Sequence, residues 1–255
     1  MVMDDRAYEG ILCIGDPHLA SRAIGARVDD YSSAILDKLA FCVSCAAREN
    51  LLPALLGDVF HSPSEDADWL LDELAAMFEP IAAVGIFGNH DCSGDTLGAG
   101  DALARLADRG ALTLLDEAHP WRGEIGGRRA VVGGTSWGRD LPRSFDPAAP
   151  GDGAAPELVV WLAHADLAVL SGGDGIEFQE IPGVDLVVNG HVHSQMPVVQ
   201  RGATTWCNPG SISRYSGSAT ARGRQPAALR LDVGPSGLEP SWLPVPHTPG
   251  DQAFR

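Results

Sequence analysis

The sequence predicts an α/β fold organised around a parallel or mixed sheet. Two observations lead there. In the first half, short apolar runs alternate with stretches whose apolar residues recur at helical spacing, the pattern of strand–helix units joined by right-handed crossovers. The first three apolar runs also end on a glycine followed by aspartate or asparagine, and the carboxyl ends of strands are where open α/β sheets assemble their sites.

Residues 10–15 form the first run and deliver Asp16-Pro17-His18. Residues 29–48 read as a helix, with Tyr31, Ile35, Leu39 and Val43 on one face. Residues 51–56 are a second strand running into Gly57-Asp58. Residues 64–78 read as a helix capped by Ser64, with Trp69, Leu70, Leu74 and Phe78 inward. Residues 81–87 are a third strand ending at Gly88-Asn89-His90-Asp91, and residues 99–108 a short helix. The second half is richer in strands, expected at 112–115, 129–133, 158–163, 184–188, 204–207 and 228–233. Residues 140–156, rich in Pro, Gly, Ala and Asp, read as a mobile surface loop. Residues 235–249 hold five prolines and read as an extended surface segment. The expected organisation is one domain over residues 1–255, with a core at 10–233 and a Pro-rich tail at 234–255.

Hydrophobic residues make up 45% of the chain and charged residues 20%, the balance of a globular domain in water. No apolar run is long enough to span a bilayer. Residues 1–9 are too polar for a secretory signal, so a cytoplasmic protein is expected. The net charge of −16 counts against broad electrostatic binding of nucleic acid, although bound cations would offset carboxylates where a phosphate sits. The five cysteines, Cys13, Cys42, Cys45, Cys92 and Cys207, are odd in number and scattered, which argues against a disulfide framework. Cys42 and Cys45 have CxxC spacing but no second pair, so they read as packing thiols on a helix face.

Aspartate, asparagine and histidine recur at the strand ends: Asp16 and His18; Asp58 and His61; Asn89, His90 and Asp91; His164; His191 and His193. Carboxylate, imidazole and amide oxygen together suit Mn²⁺, Fe²⁺ or Zn²⁺ better than Ca²⁺. The set is too large for one ion and about right for two. Asp16 with His18, and His191 with His193, are two residues apart, which on an extended segment aims both side chains to one side. Glycines precede several of these residues where backbones must approach closely. Gly210-Ser211-Ile212-Ser213 is not a GxSxG nucleophile elbow.

In this order, Asp16-Pro17-His18, Gly57-Asp58-Val59-Phe60-His61, Gly88-Asn89-His90-Asp91, His164 and Gly190-His191-Val192-His193 resemble the motif series of the calcineurin-like metallophosphoesterases. The resemblance implies a four-layer αββα sandwich of two mixed β-sheets flanked by helices. It implies two divalent metal ions, with Mn²⁺ favoured. Asp16, His18 and His193 would hold the first, Asn89, His164 and His191 the second, and Asp58 would bridge them. His90 would face the substrate and protonate the leaving oxygen, with Asp91 orienting it. A water activated between the ions would attack phosphorus.

Two details resemble the SbcD-type DNA-repair nucleases. One is His61 closing the Gly57-to-His61 run, as a second catalytic histidine. The other is Asn208-Pro209-Gly210-Ser211-Ile212-Ser213-Arg214, in which Asn208, Ser211 and Arg214 would contact substrate phosphate. The expected reaction is therefore phosphodiester hydrolysis on DNA, with an SbcC-like ATPase as a conceivable partner and no membrane. Trp137, with Arg139 and Arg143 nearby, would either stack on a base or pack in the fold. A small-molecule or cyclic-nucleotide phosphodiesterase or phosphatase is the alternative. An inactive binding module is a third reading, against which the complete ligand set speaks.

Overall fold

A computed structural model of the chain describes residues 2–148, 155–171, 173 and 175–255. Two mixed sheets pack face to face. The six-stranded sheet contains β2 (Gly10–Ile14), β3 (Leu51–Leu55), β4 (Val84–Gly85), β5 (Thr113–Leu114), β12 (Ala227–Gly234) and β13 (Gly237–Pro244), in the order β13-β12-β2-β3-β4-β5. The seven-stranded sheet contains β1 (Val2–Tyr8), β6 (Trp121–Ile125), β7 (Arg128–Thr135), β8 (Leu158–Ala163), β9 (Leu186–Asn189), β10 (Val199–Arg201) and β11 (Thr204–Cys207), ordered β1-β6-β7-β8-β9-β11-β10. β2, β3 and β4 run parallel, as do β7, β8 and β9.

The continuous apolar runs follow from burial on both faces of each sheet. In β2, Ile11 and Cys13 enter the core between the sheets, while Leu12 and Ile14 face the helices. In β8, Leu158, Val160 and Leu162 enter that same core, while Val159, Trp161 and Ala163 face outward into a separate cluster. Each such buried aliphatic side chain contributes roughly 1.5–3 kcal/mol. The outer layer on the six-stranded sheet is α1 (Tyr31–Glu49), α2 (Asp68–Phe78) and α3 (Ala102–Asp108). On the other side the layer is thinner: among the described residues, segments carrying Phe145, Ile176, Phe178 and Ile181 cover Trp161 and Trp206. No described helix is long and apolar enough to cross a membrane.

α1 starts at the N-cap Asp30, whose carboxylate accepts from Ser33 N at 3.2 Å. It ends at Asn50 in the left-handed region. Cys42 and Cys45 are both buried on its inner face, and burial pushes the Cys42 thiol up to about 12. α2 begins four residues later than expected, and Ser64 does not cap it. Ser64 instead contacts the Ser62 hydroxyl, and Glu65 is turned to receive Ser21 N and Oγ. Trp69 is 51% exposed rather than inward, and Leu71 takes the buried position beside Leu70 and Leu74.

The expected tail holds a strand. β13 pairs with β12 along its length through Pro240 and Pro244, which a sheet tolerates because β13 lies at the edge. β1, outside the expected core, pairs with β6 at the edge of the other sheet. The described part of the 140–156 segment is docked rather than loose. Phe145 is buried with its ring 4.9 Å from that of Trp161, and its N–H donates to Pro182 O at 2.8 Å. Residues 149–154 lie outside the described residues.

Candidate metal centre

The carboxyl ends of β2, β3, β4, β8 and β9 converge where the two sheets meet. Asp16, His18, Asp58 and His191 all adopt positive φ, at 45°, 48°, 47° and 67°. This conformation costs a non-glycine residue of order 1 kcal/mol or more, and sites are where such strain is held. Interlocking bonds hold it here. His18 N donates to Asp58 O at 2.9 Å, Leu19 N to Val59 O at 2.8 Å, and His191 N to Asp16 Oδ1 at 2.8 Å. Two of the glycines are required by close approach: a Cβ on Gly88 would lie 2.1 Å from Asp58 Oδ1, and one on Gly57 2.5 Å from His164 Nδ1.

Three groups of side chains result. Two share Asp58: one is Asp16, His18, Asp58 and His193, the other Asp58, His164 and His191; the third is His18, His61 and His90, which has no carboxylate; the candidate ligand atoms in each lie within 4.8 Å of one another. Asp58 Oδ2 lies 3.5 Å from His18 Nε2, and Asp58 Oδ1 lies 3.5 Å from His164 Nε2. Asn89 Oδ1 joins the second group, 3.0 Å from His191 Nδ1 and 3.4 Å from His164 Nε2. The sequence-derived ligand candidates thus come together as two sets with one carboxylate between them.

Burial is the first cause of the charge states. It holds His18 well below the usual histidine range, and it lowers His193 to about 4 with help from Arg224. It also lowers His191, assisted by His164. Burial alone would lower His164 too, but the bond and charge of Asp58, with Asp16, raise it to about 9. Burial would raise Asp58, yet His164 and His18 hold it well below the usual carboxylate range. Asp16 is pushed up to about 7 by burial and by Asp58, against His164.

These states leave unshared electron pairs facing one another. The His191 Nε2–H donates to Asp166 Oδ1 at 2.9 Å, so in the neutral ring Nδ1 faces Asn89 Oδ1 with a lone pair. The Nε2 atoms of His18 and His193 are 3.0 Å apart, and at most one of two neutral rings can donate there. Asp16 Oδ2 is buried with no hydrogen-bond partner among the described residues. Opposed acceptors and an orphaned carboxylate oxygen are unfavourable without a cation and fit one well. The outer nitrogens are oriented as metal-binding histidines require: His164 Nδ1 donates to Leu56 O at 2.7 Å, and His191 Nε2 to Asp166.

His90 stands beside these groups, its ring centroid 4.7 Å from that of His18, and its backbone N–H donates to Asp58 Oδ1 at 2.8 Å. His61 is half-buried with its ring 5.3 Å from His90. Asp91 does not orient His90. Its carboxylate accepts instead from Val59 N, Phe60 N and Gly88 N at 3.3, 3.0 and 2.9 Å, tying the two strand-end loops together. The group on the His90 ring is the His61 carbonyl, which receives Nδ1–H at 2.8 Å.

The three expected phosphate-binding residues are buried beneath the centre. Asn208 Nδ2 donates to Val192 O and Ser194 O, and Ser211 Oγ donates to Asp16 O, so both brace the loops that carry Asp16, His191 and His193. Arg214 is 2% exposed and donates to Arg222 O at 3.1 Å and to Thr248 O. Trp137 packs its ring 4.7 Å from that of His191. Three contributors were not foreseen: Asp166; Tyr215, whose ring lies 4.7, 5.0 and 5.4 Å from His18, His61 and His193; and Arg224 beside His193. Only Tyr215, following Arg214 directly, stood next to a residue already singled out.

No curated protein matches the chain. A solved structure described as a hypothetical protein from Thermus thermophilus superposes with a TM-score of 0.54 at 14% identity, covering 93% of this chain and 100% of the other. A conserved uncharacterized protein from Streptococcus pneumoniae, described as a predicted phosphoesterase, gives a TM-score of 0.40 at 14% identity over 98% of this chain and 94% of that one. The first likeness is one of fold. Residues 10–195 match the calcineurin-like phosphoesterase family, a span that contains every strand end converging on Asp58, and the chain belongs to that family of metal-dependent phosphoesterases.

Proposed function

We propose that this protein is a phosphodiesterase requiring two divalent cations, and that its substrate is DNA. The observation that carries the reaction is Asp58, whose two oxygens face two separate ligand groups. Asp16, His18 and His193 would hold one cation with Asp58, and Asn89, His164 and His191 the other. A cation pair so held supplies activation of water for in-line attack on phosphorus and neutralisation of the phosphate charge. The chain's own residues then place and complete the reaction. His61 O fixes the His90 ring through Nδ1–H, which leaves Nε2 free; in the imidazolium form the Nε2–H would pass its proton to the departing oxygen and return to the neutral ring. His61 and Tyr215 stand together on the same side of the site, 5.0 Å apart between ring centroids.

His61 next to His90 supports the DNA reading. A small diester is the second reading, favoured by the burial of Ser211 and Asn208 and by the cavity of about 610 Å³ beside His61. That cavity is lined by Arg22, Ser62, Ser64, Glu65 and Asp66 among others; Arg22 is paired with Asp66, which leaves the Glu65 carboxylate as poor company for a phosphate backbone. Five free, buried cysteines support a reducing compartment, and we place the protein in the cytoplasm.

The test is hydrolysis of bis-p-nitrophenyl phosphate alongside single- and double-stranded DNA, with Mn²⁺ and with EDTA. Mn²⁺-dependent DNA degradation that EDTA stops is the expected result, and would justify a search for an ATPase partner. Cleavage of the small diester with DNA untouched selects the second reading. No turnover of either overturns the proposal.

A further inference from the structure

The chain carries a net charge of −16, yet one side of the metal centre is crowded with cations. Lys38, Arg27, Arg214 and Arg224 lie near enough to disfavour one another's charge. Among the described residues only Arg27 of these four forms an ion pair, with Asp29. The other three are capped by main-chain oxygens: Lys38 by Ile212, Arg214 by Arg222 and Thr248, and Arg224 by Ser211 and Ser213. A carbonyl satisfies a donor but does not cancel a charge, and uncompensated buried charge is costly.

Two of these arginines, Arg214 and Arg224, border a cavity of about 140 Å³ that also touches His193, Ser194, Tyr215 and Ser218. The cavity is smaller than the roughly 300–1,000 Å³ of pockets that enclose a drug-sized ligand, so it suits a compact group and not a nucleoside. Arg214 is almost wholly buried and its Nε has no hydrogen-bond partner among the described residues. Arg224 has two of its five N–H donors committed to Ser211 O and Ser213 O. Ser218 and Tyr215 line the same cavity.

We propose that this cavity is an anion subsite that receives a second phosphate group of the substrate, beside the phosphate being cleaved. This rests on the phosphodiesterase reading and narrows it to substrates with a phosphate flanking the scissile bond, as in a phosphorylated end of a nucleic-acid strand. A purely structural clamp made by the same arginines would leave the protein indifferent to such a phosphate.

The test compares the dinucleotide of two thymidines with and without a 5′-phosphate, on Mn²⁺-supplied protein. The wild type is expected to show a kcat/KM about tenfold higher for the phosphorylated form, the size of one charge-assisted hydrogen bond. Ser218→Asp places a negative charge on the cavity wall and keeps the fold, because Ser218 caps a short helical turn by accepting from Ala221 N and aspartate fills that role equally well. In Ser218→Asp the ratio is expected to fall to about one. A binding readout accompanies the kinetics: inorganic phosphate should raise the melting temperature of EDTA-treated wild type and not of Ser218→Asp. Equal kcat/KM for the two dinucleotides in a wild type that hydrolyses bis-p-nitrophenyl phosphate overturns the subsite. If nothing is hydrolysed but phosphate binding is present and sensitive to Ser218→Asp, the phosphodiesterase reading fails and the role toward substrate falls with it, while the cavity stands as an anion site. Phosphate binding that is absent, or indifferent to Ser218→Asp, overturns the subsite whatever the activity.

Discussion

Asp58 and His90 are joined by one hydrogen bond, from His90 N to Asp58 Oδ1, yet their side chains have separable tasks. Asp58 is the carboxylate both ligand groups share, so Asp58→Ala is expected to abolish metal binding and activity together. The His90 ring is held by His61 O outside those two groups, so His90→Gln is expected to keep both ions and lose roughly 10²–10⁴ in kcat. Metal content by elemental mass spectrometry decides it: loss of both ions in His90→Gln would move His90 into the ligand set. Lys38 offers a pH-dependent counterpart away from the ligands. Burial first, then Arg27, Arg214 and Arg224, lowers it from 10.5 to about 7. The unfolded chain therefore holds one more proton than the folded chain between these two values, and stability rises with pH across that window. Between pH 7 and pH 9 the wild type should gain about 2 kcal/mol relative to Lys38→Met in urea denaturation. Parallel changes in the two proteins would mean that Lys38 titrates normally.

At the level of elements, the strand-end loops do the positioning, and Gly88 is their tightest point. Alanine there would drive its Cβ into Asp58 Oδ1 and the Asp58 backbone nitrogen, the latter at 2.5 Å. Gly88→Ala is expected to destabilise the fold by about 1–3 kcal/mol and to weaken metal binding more than an alanine at the exposed, open Gly94. Calorimetric metal titration of both variants checks this, and equal affinities would mean that the loop can shift without disturbing Asp58. The same loops were legible in the sequence because buried parallel strands are uniformly apolar and stop abruptly at polar ligands; β8 and β11 fall at their expected limits. The strands toward the sheet edges were not legible. β6, second from an edge between β1 and β7, reads Trp-Arg-Gly-Glu-Ile, and the edge strand β13 carries Pro240 and Pro244, so neither presents an apolar run and each is held by pairing with a neighbour distant from the site. Short-range pattern also could not tell that Arg214 and Asp91 serve main-chain groups. Asp91 sits next to His90 in sequence, but its carboxylate is turned to three backbone N–H groups contributed by two loops. Side-chain direction of that kind is set by tertiary packing, which motif order does not encode.

Across the whole molecule, the ligand groups draw on residues from Asp16 to His193, and on both sheets: Asp16, His18, Asp58 and Asn89 come from one, His164, His191 and His193 from the other. In an unfolded chain these side chains are dispersed and hold no common geometry. Divalent cations should therefore bind the folded state alone and act as a clasp between the sheets. At a free concentration a hundred times the dissociation constant, one such site adds about 2.7 kcal/mol of stability. For a protein of this size that corresponds to a rise of roughly 5–10 °C in melting temperature. A second contribution must be separated from this one. With a net charge of −16, any divalent cation lowers the self-repulsion of the folded chain, without needing a site. The two effects differ in selectivity and in dependence on Asp58. Site binding should favour Mn²⁺ over Ca²⁺, because the mixed imidazole and carboxylate donors suit the former, should be reversed by EDTA, and should vanish in Asp58→Ala. Screening should be equal for both ions and should persist in Asp58→Ala. Thermal melts of the two proteins in EDTA, Mn²⁺ and Ca²⁺ at matched ionic strength distinguish them. A selective rise of several degrees confined to the wild type is the expected outcome. Equal rises with both ions in both proteins would mean that the Asp58 centre holds no metal with useful affinity.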